Sequence, residues 1–331
     1  MTPEELPADE PLVALVRGGL VESVHRGRYA VCDASGGVTH SVGDADALCF
    51  PRSALKPFQA MPLVLSGAAD ALGLTDPELA IACASHYGEE QHVRAVAALL
   101  EKAGLTENDL DNGAHPPAYA PAAEELVRRG EKPRKIHGNC SGKHAGMLAV
   151  CRHLGWDAKG YRDQHHPLQG WIKAIISEVC DTPEREMPTA GDGCGAPAFA
   201  LPLRSLATGF ARLATGDGLP EDVGLAAKRI RDAMRAEPHL VAGTGNTDTR
   251  VMETSNLVAK RGADGVWTAG SESGWGLALK VTDGAERAVA PLVKDVLARL
   301  DESPGIEVPP VRDLHGHAVG EMVVLKTKRG T

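Results

Sequence analysis

Phe50-Pro51-Arg52-Ser53-Ala54-Leu55-Lys56-Pro57 sets a serine three residues ahead of a lysine, at what reads as the start of a helix. A serine hydroxyl attacks poorly until a base takes its proton. Residues three apart share one face of a helix, so Lys56 can reach Ser53 as that base. The other reading is a helix-capping serine beside a solvated lysine, since a short motif of common residues also arises by chance. Pro57 suits a first helical turn, where backbone N–H groups lack partners. Pro62 is expected to kink or end the helix.

Outward from this stretch, the preceding residues read as strands: Leu15 to Ser23, Tyr29 to Cys32, and Val38 to Val42 after a Gly36-Gly37 turn. Helices dominate the middle of the chain. Asp76-Pro77 is a cap and first-turn proline, and Glu89 to Lys102 aligns Val93, Val96, Ala97 and Leu100 on one face. Pro121 to Arg129, Ser141 to Leu154, Pro167 to Val179 and Pro220 to Ala236 read likewise. Strands return at Asn256 to Lys260, Val266 to Ala269 and Gly276 to Val281. A helix over Glu286 to Leu300 and a short apolar run from Met322 to Leu325 complete the order. It predicts an α+β fold, with one antiparallel sheet built from N- and C-terminal strands and a mostly helical middle, about residues 56–240, inserted between them. Without βαβ alternation a Rossmann-type fold is disfavoured. No linker divides residues 1–331, so a single catalytic domain is expected.

The chain has 331 residues, 43% hydrophobic and 24% charged, the balance of a soluble globular protein. Its net charge of −9 and lack of a basic block speak against nucleic acid as a partner. No apolar run is long enough for a membrane span. The acidic start, with Glu4, Glu5, Asp9 and Glu10, is no signal peptide. Seven scattered cysteines without a C-x-x-C pair fit reduced thiols in the cytoplasm.

Further stretches concentrate polar chemistry. Cys83-Ala84-Ser85-His86 sets a second serine at a helix end, readable as a member of the same pocket or as a turn serine. Gly138-Asn139-Cys140-Ser141-Gly142-Lys143-His144 fails as a phosphate loop: three residues separate its glycines, and His144 stands where Ser or Thr would bind Mg²⁺. Cys140 and His144 have the i,i+4 spacing of metal ligands on a helix. Asp192-Gly193-Cys194 adds a second thiol on a tight turn, so Cys140 and Cys194 are either a thiolate pair for Zn²⁺ or two unrelated buried cysteines. Thr244 and Asn246 lie in a Gly/Thr loop, and Lys260 ends a strand. A lysine there often guards a sheet edge.

Together these segments resemble the rhizobial-type L-asparaginase family, the asparaginase II family. The resemblance rests on Arg52-Ser53-Ala54-Leu55-Lys56-Pro57, Cys83-Ala84-Ser85-His86, Asn139-Cys140-Ser141-Gly142-Lys143-His144, Asp192-Gly193-Cys194, and Lys260 with Gly262-Ala263-Asp264. It runs from about Arg17 to about Asp283. It implies a fold similar to serine β-lactamases and glutaminases, a homodimer, and hydrolysis of L-asparagine to L-aspartate and ammonia. Carried over, Ser53 with Lys56 and Ser85 with Lys260 form two catalytic Ser-Lys pairs. Cys140, Lys143 and Cys194 match zinc ligands, with water as the fourth, the ion organising the site rather than making the nucleophile. Arg52 and Asp192 match residues beside the site, and His86, Thr244 and Asn246 are expected to touch substrate. The loop holding Thr244 and Asn246 is charged in those relatives, and the region after Asp283 matches little, so substrate preference is the open point. Thr247-Asp248-Thr249 echoes another bacterial asparaginase type, which needs an early Gly-Gly-Thr that this sequence lacks. The alternatives are a serine-dependent glutaminase, another β-lactamase-like acyl hydrolase, and a non-enzymatic zinc-binding protein whose serines only cap helices.

Overall fold

The computed structural model describes Thr2 and residues 6–326. Its strands are β1 (Glu10–Arg17), β2 (Leu20–Asp33), β3 (Val38–Val42), β4 (Leu48–Cys49), β5 (Thr189–Gly191), β6 (Pro197–Phe199), β7 (Leu201–Pro202), β8 (Val258–Arg261), β9 (Val266–Gly270), β10 (Trp275–Val281), β11 (Val311–Arg312) and β12 (Ala318–Val324). Its α-helices are α1 (Lys56–Leu65), α2 (Ala68–Ala71), α3 (Asp76–Ala82), α4 (Glu90–Lys102), α5 (Ala120–Arg128), α6 (Ser141–Leu154), α7 (Pro167–Cys180), α8 (Leu203–Thr215), α9 (Glu221–Ala236), α10 (Pro238–Val241), α11 (Thr247–Thr254) and α12 (Val289–Arg299).

Strands from both ends of the chain make one antiparallel sheet, ordered β11-β12-β1-β2-β10-β9-β8. Long β2 serves two neighbours on one edge: Leu20 to Gly27 pair with β1, and Tyr29 to Cys32 pair with β3. Its other edge, Gly27 to Asp33, meets β10. The mixed architecture agrees with the α+β expectation. The apparent strand from Leu15 to Ser23 is in fact a hairpin, because Gly18 and Gly19 take left-handed φ of 55° and 79° and reverse the chain.

Helix α8 lies on the sheet against β2, β9 and β10. It gets that close because Gly270 and Gly276, paired across β9 and β10, have no side chains. A Cβ on Gly276 would sit 2.0 Å from the Ala207 carbonyl oxygen, and one on Gly270 2.1 Å from that of Phe210. Periodic Leu203, Leu206, Phe210 and Leu213 make α8 helical and bury it. Helix α1 is buried along Lys56 to Leu63 and packs on α6, α7 and α9. Contrary to the sequence expectation, it continues through Pro62 to Leu65. Burial of Met61, Pro62 and Leu63 holds that last turn, and the Ser66 N–H closes it on the Pro62 carbonyl.

Candidate active site

Ser53 lies in a 3-10 turn, Arg52–Leu55, and Lys56 is the first residue of α1. The pair therefore spans a junction and does not share one regular helix. Arg52 opens the junction in the left-handed region, φ 54°, a conformation uncommon for a residue with a side chain. Its guanidinium is held by two carboxylates: Nε donates to Asp192 Oδ1 at 2.5 Å and Nη1 to Asp264 Oδ2 at 3.1 Å.

The Lys56 amine points at Ser85. Nζ is 2.6 Å from the Ala84 carbonyl oxygen, 2.9 Å from Ser85 Oγ and 3.4 Å from the Asn139 carbonyl oxygen. From β8, Lys260 Nζ reaches the same hydroxyl at 3.0 Å and the Arg261 carbonyl at 3.1 Å. The expected Ser85–Lys260 pair is present, and Lys56 joins it on the Ser85 hydroxyl instead of hydrogen-bonding Ser53; all three groups are almost fully buried. The Ser53 side chain is only partly buried and makes no hydrogen bond among the described residues.

Counting donors assigns the protons. Burial disfavours charge on both amines. It lowers Lys56, further pressed by Lys143 and opposed by Cys140. It brings Lys260 down to about 7 against the pull of Asp248. A neutral Lys56 spends two N–H bonds on the Ala84 and Asn139 carbonyls and, at rest, accepts a hydrogen bond from the Ser85 hydroxyl. A charged Lys260 then donates to Ser85 Oγ and the Arg261 carbonyl. That arrangement satisfies the hydroxyl and avoids two ammonium groups across one oxygen.

His86 is not a free ligand for a substrate. It is fully buried, its Nδ1 accepts from the Gly88 N–H at 3.1 Å, and its Nε2 donates to Ser141 Oγ at 2.8 Å. Burial, with His92 and Lys56 adding to it, pushes its pKa well below the usual range and keeps it neutral. Thr244 is clasped by Glu89, whose two carboxylate oxygens accept from its N–H at 2.8 Å and its hydroxyl at 2.7 Å. Asn246 caps α11 by accepting the Asp248 N–H at 2.9 Å and donates to the Tyr87 hydroxyl at 2.9 Å. These three expected substrate contacts are engaged inside the fold, where sequence alone had no partners to assign them.

Cys140 ends the loop before α6 and Cys194 sits on the Asp192–Gly195 turn, the two buried together against Ala196. A hydrogen bond from Cys194, with help from Lys56 and Lys143, sets the Cys140 thiol well below its ordinary value. Cys194, as the donor, is raised. Lys143 Nζ is 3.1 Å from Cys194 Sγ. Burial lowers the Lys143 amine, but Cys194, Cys140 and Asp192 outweigh it and raise it. The next residue, the buried His144, has Nδ1 2.6 Å from the Tyr161 hydroxyl and also interacts with the Cys194 thiol. Two soft thiols with an adjacent amine are donors of the type a Zn²⁺-like ion takes, although among the described residues they do not form, with His144, a trio of donor atoms within 4.8 Å of one another. Lysine binds only when neutral, and the ion's own charge would drive off its proton. A second trio, Glu89, His92 and His239, brings donor atoms within 4.8 Å of one another. It suits a metal less well: His92 Nδ1 already accepts from the Glu89 N–H, its Nε2 donates to the His239 carbonyl, and Thr244 occupies Glu89.

A curled antiparallel sheet with helices packed on it, carrying a buried serine between two lysines, places this chain among mixed α/β proteins. The chain belongs to the L-asparaginase II family, whose sequence model matches residues 13–324. That family hydrolyses amides. No curated protein sequence matches the chain. Among solved structures it is similar to Mglu, at 16% identity and TM-score 0.38, covering 83% of this chain and 67% of that one. A structure of Mglu in its glutamate form gives 15% identity and TM-score 0.40, with 83% and 61% covered. The chain thus spans about two thirds of the length of the Mglu structures it matches. A β-lactamase from Mycobacterium bovis gives 12% identity and TM-score 0.42, covering 82% of this chain and 94% of that one. Among the described residues, no helix is long and apolar enough to cross a membrane.

Proposed function

We propose that the protein hydrolyses L-asparagine to L-aspartate and ammonia through an acyl-enzyme on Ser53. The observation that carries this reading is the convergence of the Lys56 and Lys260 amines on Ser85 at 2.9 and 3.0 Å, with Lys56 three residues along the chain from the unengaged Ser53. Ser53 is the nucleophile because it is the more accessible hydroxyl. Neutral Lys56 takes its proton as Ser53 attacks the side-chain amide carbon. Ser85, hydrogen-bonded to both amines, passes a proton to the departing nitrogen, which leaves as ammonia; Ser85 is refilled by the proton Lys56 took from Ser53, so that Lys56 is neutral again. Water then splits the aspartyl ester and returns a proton to Ser53. The Ser53 N–H has no backbone partner among the described residues and is the natural donor to the oxyanion. Arg52, fixed by Asp192, lies beside the nucleophile to orient a charged substrate.

Cys140, Lys143 and Cys194 would hold Zn²⁺, and the bound ion would supply a Lewis-acidic centre that organises the pocket. Homodimerisation, as the family resemblance implies, and a cytoplasmic location, as the scattered cysteines suggest, complete the proposal, and light scattering tests the former.

The test is ammonia release from asparagine and glutamine side by side, with wild type, Ser53→Ala and Ser85→Ala. Loss of the nucleophile is expected to cost at least ~10³-fold in kcat. Loss of the relay is expected to cost ~10²–10⁴-fold. Full activity in Ser53→Ala, or no ammonia from asparagine with wild type, sinks the reading. Faster release from glutamine reassigns it to a glutaminase.

A further inference from the structure

The Thr247-Asp248-Thr249 run is left unused by this chemistry, yet its carboxylate is among the most enclosed charges in the molecule. Asp248 stands in the first turn of α11 and is fully buried. Its Oδ1 accepts from Trp267 Nε1 at 2.8 Å and its Oδ2 from the Arg261 N–H at 2.8 Å. Oδ2 lies 3.8 Å from Lys260 Nζ, and both side chains are 0% exposed. Burying a carboxylate is costly unless it is both hydrogen-bonded and paired with a charge. The two N–H donors supply the first condition. Among the described residues, Lys260 is the cation within ion-pair reach.

We propose that Asp248 is a positioning residue of the acyl-transfer centre: its carboxylate holds the Lys260 ammonium against the Ser85 hydroxyl. This rests on the Ser-Lys reading of the site. The geometry directs Lys260 hydrogen bonds to Ser85 Oγ and the Arg261 carbonyl, and sets the Asp248 carboxylate facing the ammonium at 3.8 Å. The backbone beneath is pinned as well, since Thr268 Oγ1 donates to the Lys260 carbonyl at 2.6 Å. The groups acting on the ammonium are Asp248 on α11, Lys56 on α1, Arg261 beside it, and the Cys140 thiol. Asp248 and Cys140 favour its charge, while burial, Lys56 and Arg261 oppose it. The neighbouring Cys83 is pushed up to about 12 by burial and stays a neutral thiol. Removing the Asp248 charge therefore lets Lys260 lose its proton at lower pH, and the donor to Ser85 goes with it.

Two charge-removing variants, Asp248→Asn and Asp248→Ala, test this. The alanine variant avoids setting an amide N–H against the two donors and serves if the asparagine variant fails to fold. The first readout is the pH profile of ammonia release. Its alkaline limb is expected to move acidward by about one pH unit or more, with kcat near neutrality falling and KM little changed. The second readout needs no turnover: carbamylation of Lys260 by cyanate, followed by peptide mass spectrometry across pH in a Ser53→Ala background. Its midpoint is expected to move in the same direction. A limb and a carbamylation midpoint that stay in place, with activity lowered equally at every pH, would overturn the proposal and leave Asp248 a purely structural anchor for Trp267. If wild type releases no ammonia, the carbamylation midpoint alone decides between these outcomes.

Discussion

At the residue scale, the proton states of two lysines set the pH behaviour. On the proposed mechanism Lys56 works neutral and Lys260 charged, so activity is expected to rise as Lys56 loses its proton and to fall as pH passes the Lys260 value of about 7. Lys260→Arg replaces that amine with a guanidinium that stays charged throughout this range. The variant is expected to be slower but to lose the alkaline limb; a limb that persists in its pH–rate profile would assign that limb to another group. If Cys140, Lys143 and Cys194 hold Zn²⁺ as proposed, wild type is expected to retain it through dialysis and Cys140→Ser and Cys194→Ser to lose it, read by elemental analysis rather than by turnover. Equal zinc in all three proteins would remove the thiols from the metal site. Ser53, Lys56, Ser85, Lys260, Cys140 and Cys194 were all legible in the sequence, because each sits in a compact motif. The Ser85–Lys260 contact was expected as well, but the turn of Lys56 toward Ser85 was not, since it depends on side chains converging from α1, the loop after α3, and β8. Asp248 was missed although Asn246 two residues before it was a readable cap. A Gly-rich start made the segment look like a loop.

At the element scale, α8 shows how a helix can be overlooked in a run of apolar residues. Leu203, Leu206, Phe210 and Leu213 keep helical spacing and Gly216 ends the helix in the left-handed region, φ 74°. The preceding Ala198 to Pro202 blurs where its pattern begins. What no local pattern could reveal was the reason for Gly270 and Gly276, which is the passage of the α8 backbone over them. Gly276→Ala places a methyl against the Ala207 carbonyl and is expected to destabilise by about 1–3 kcal/mol or more. Urea unfolding measures this, and a cost below a few tenths would mean that α8 lifts freely. The clasp between Glu89 and Thr244 belongs to the same scale. Glu89→Gln turns one acceptor into a donor facing another N–H or O–H, so the Gly243–Asn246 loop is expected to exchange its amide hydrogens faster than in wild type. Unchanged protection at Thr244 would show that the loop is held by α10 and α11 alone.

At the scale of the whole molecule, the strand–helix–strand order predicted the architecture because a sheet face must be covered by something apolar, and the middle of the chain supplies it. Phe58, fully buried at 5.5 Å from the Phe210 ring, joins the helical layer to the helix on the sheet. Phe58→Ala is expected to cost about 3–5 kcal/mol, seen as a lower denaturation midpoint with an unchanged slope. The pairing of β2 with β10 has a temporal consequence. During synthesis, β2 emerges early and waits with one edge open until nearly the whole chain has left the ribosome, since Ala30 must find Ala278. Closing so distant a contact is slow, and an open edge is prone to pair with other chains. The buried amine of Lys56 waits too, because Lys260 arrives only with β8. The cluster of Lys56, Ser85 and Lys260 therefore cannot assemble before β8 has been made, and a nascent chain halted before β8 carries Ser53 and Lys56 without the second lysine.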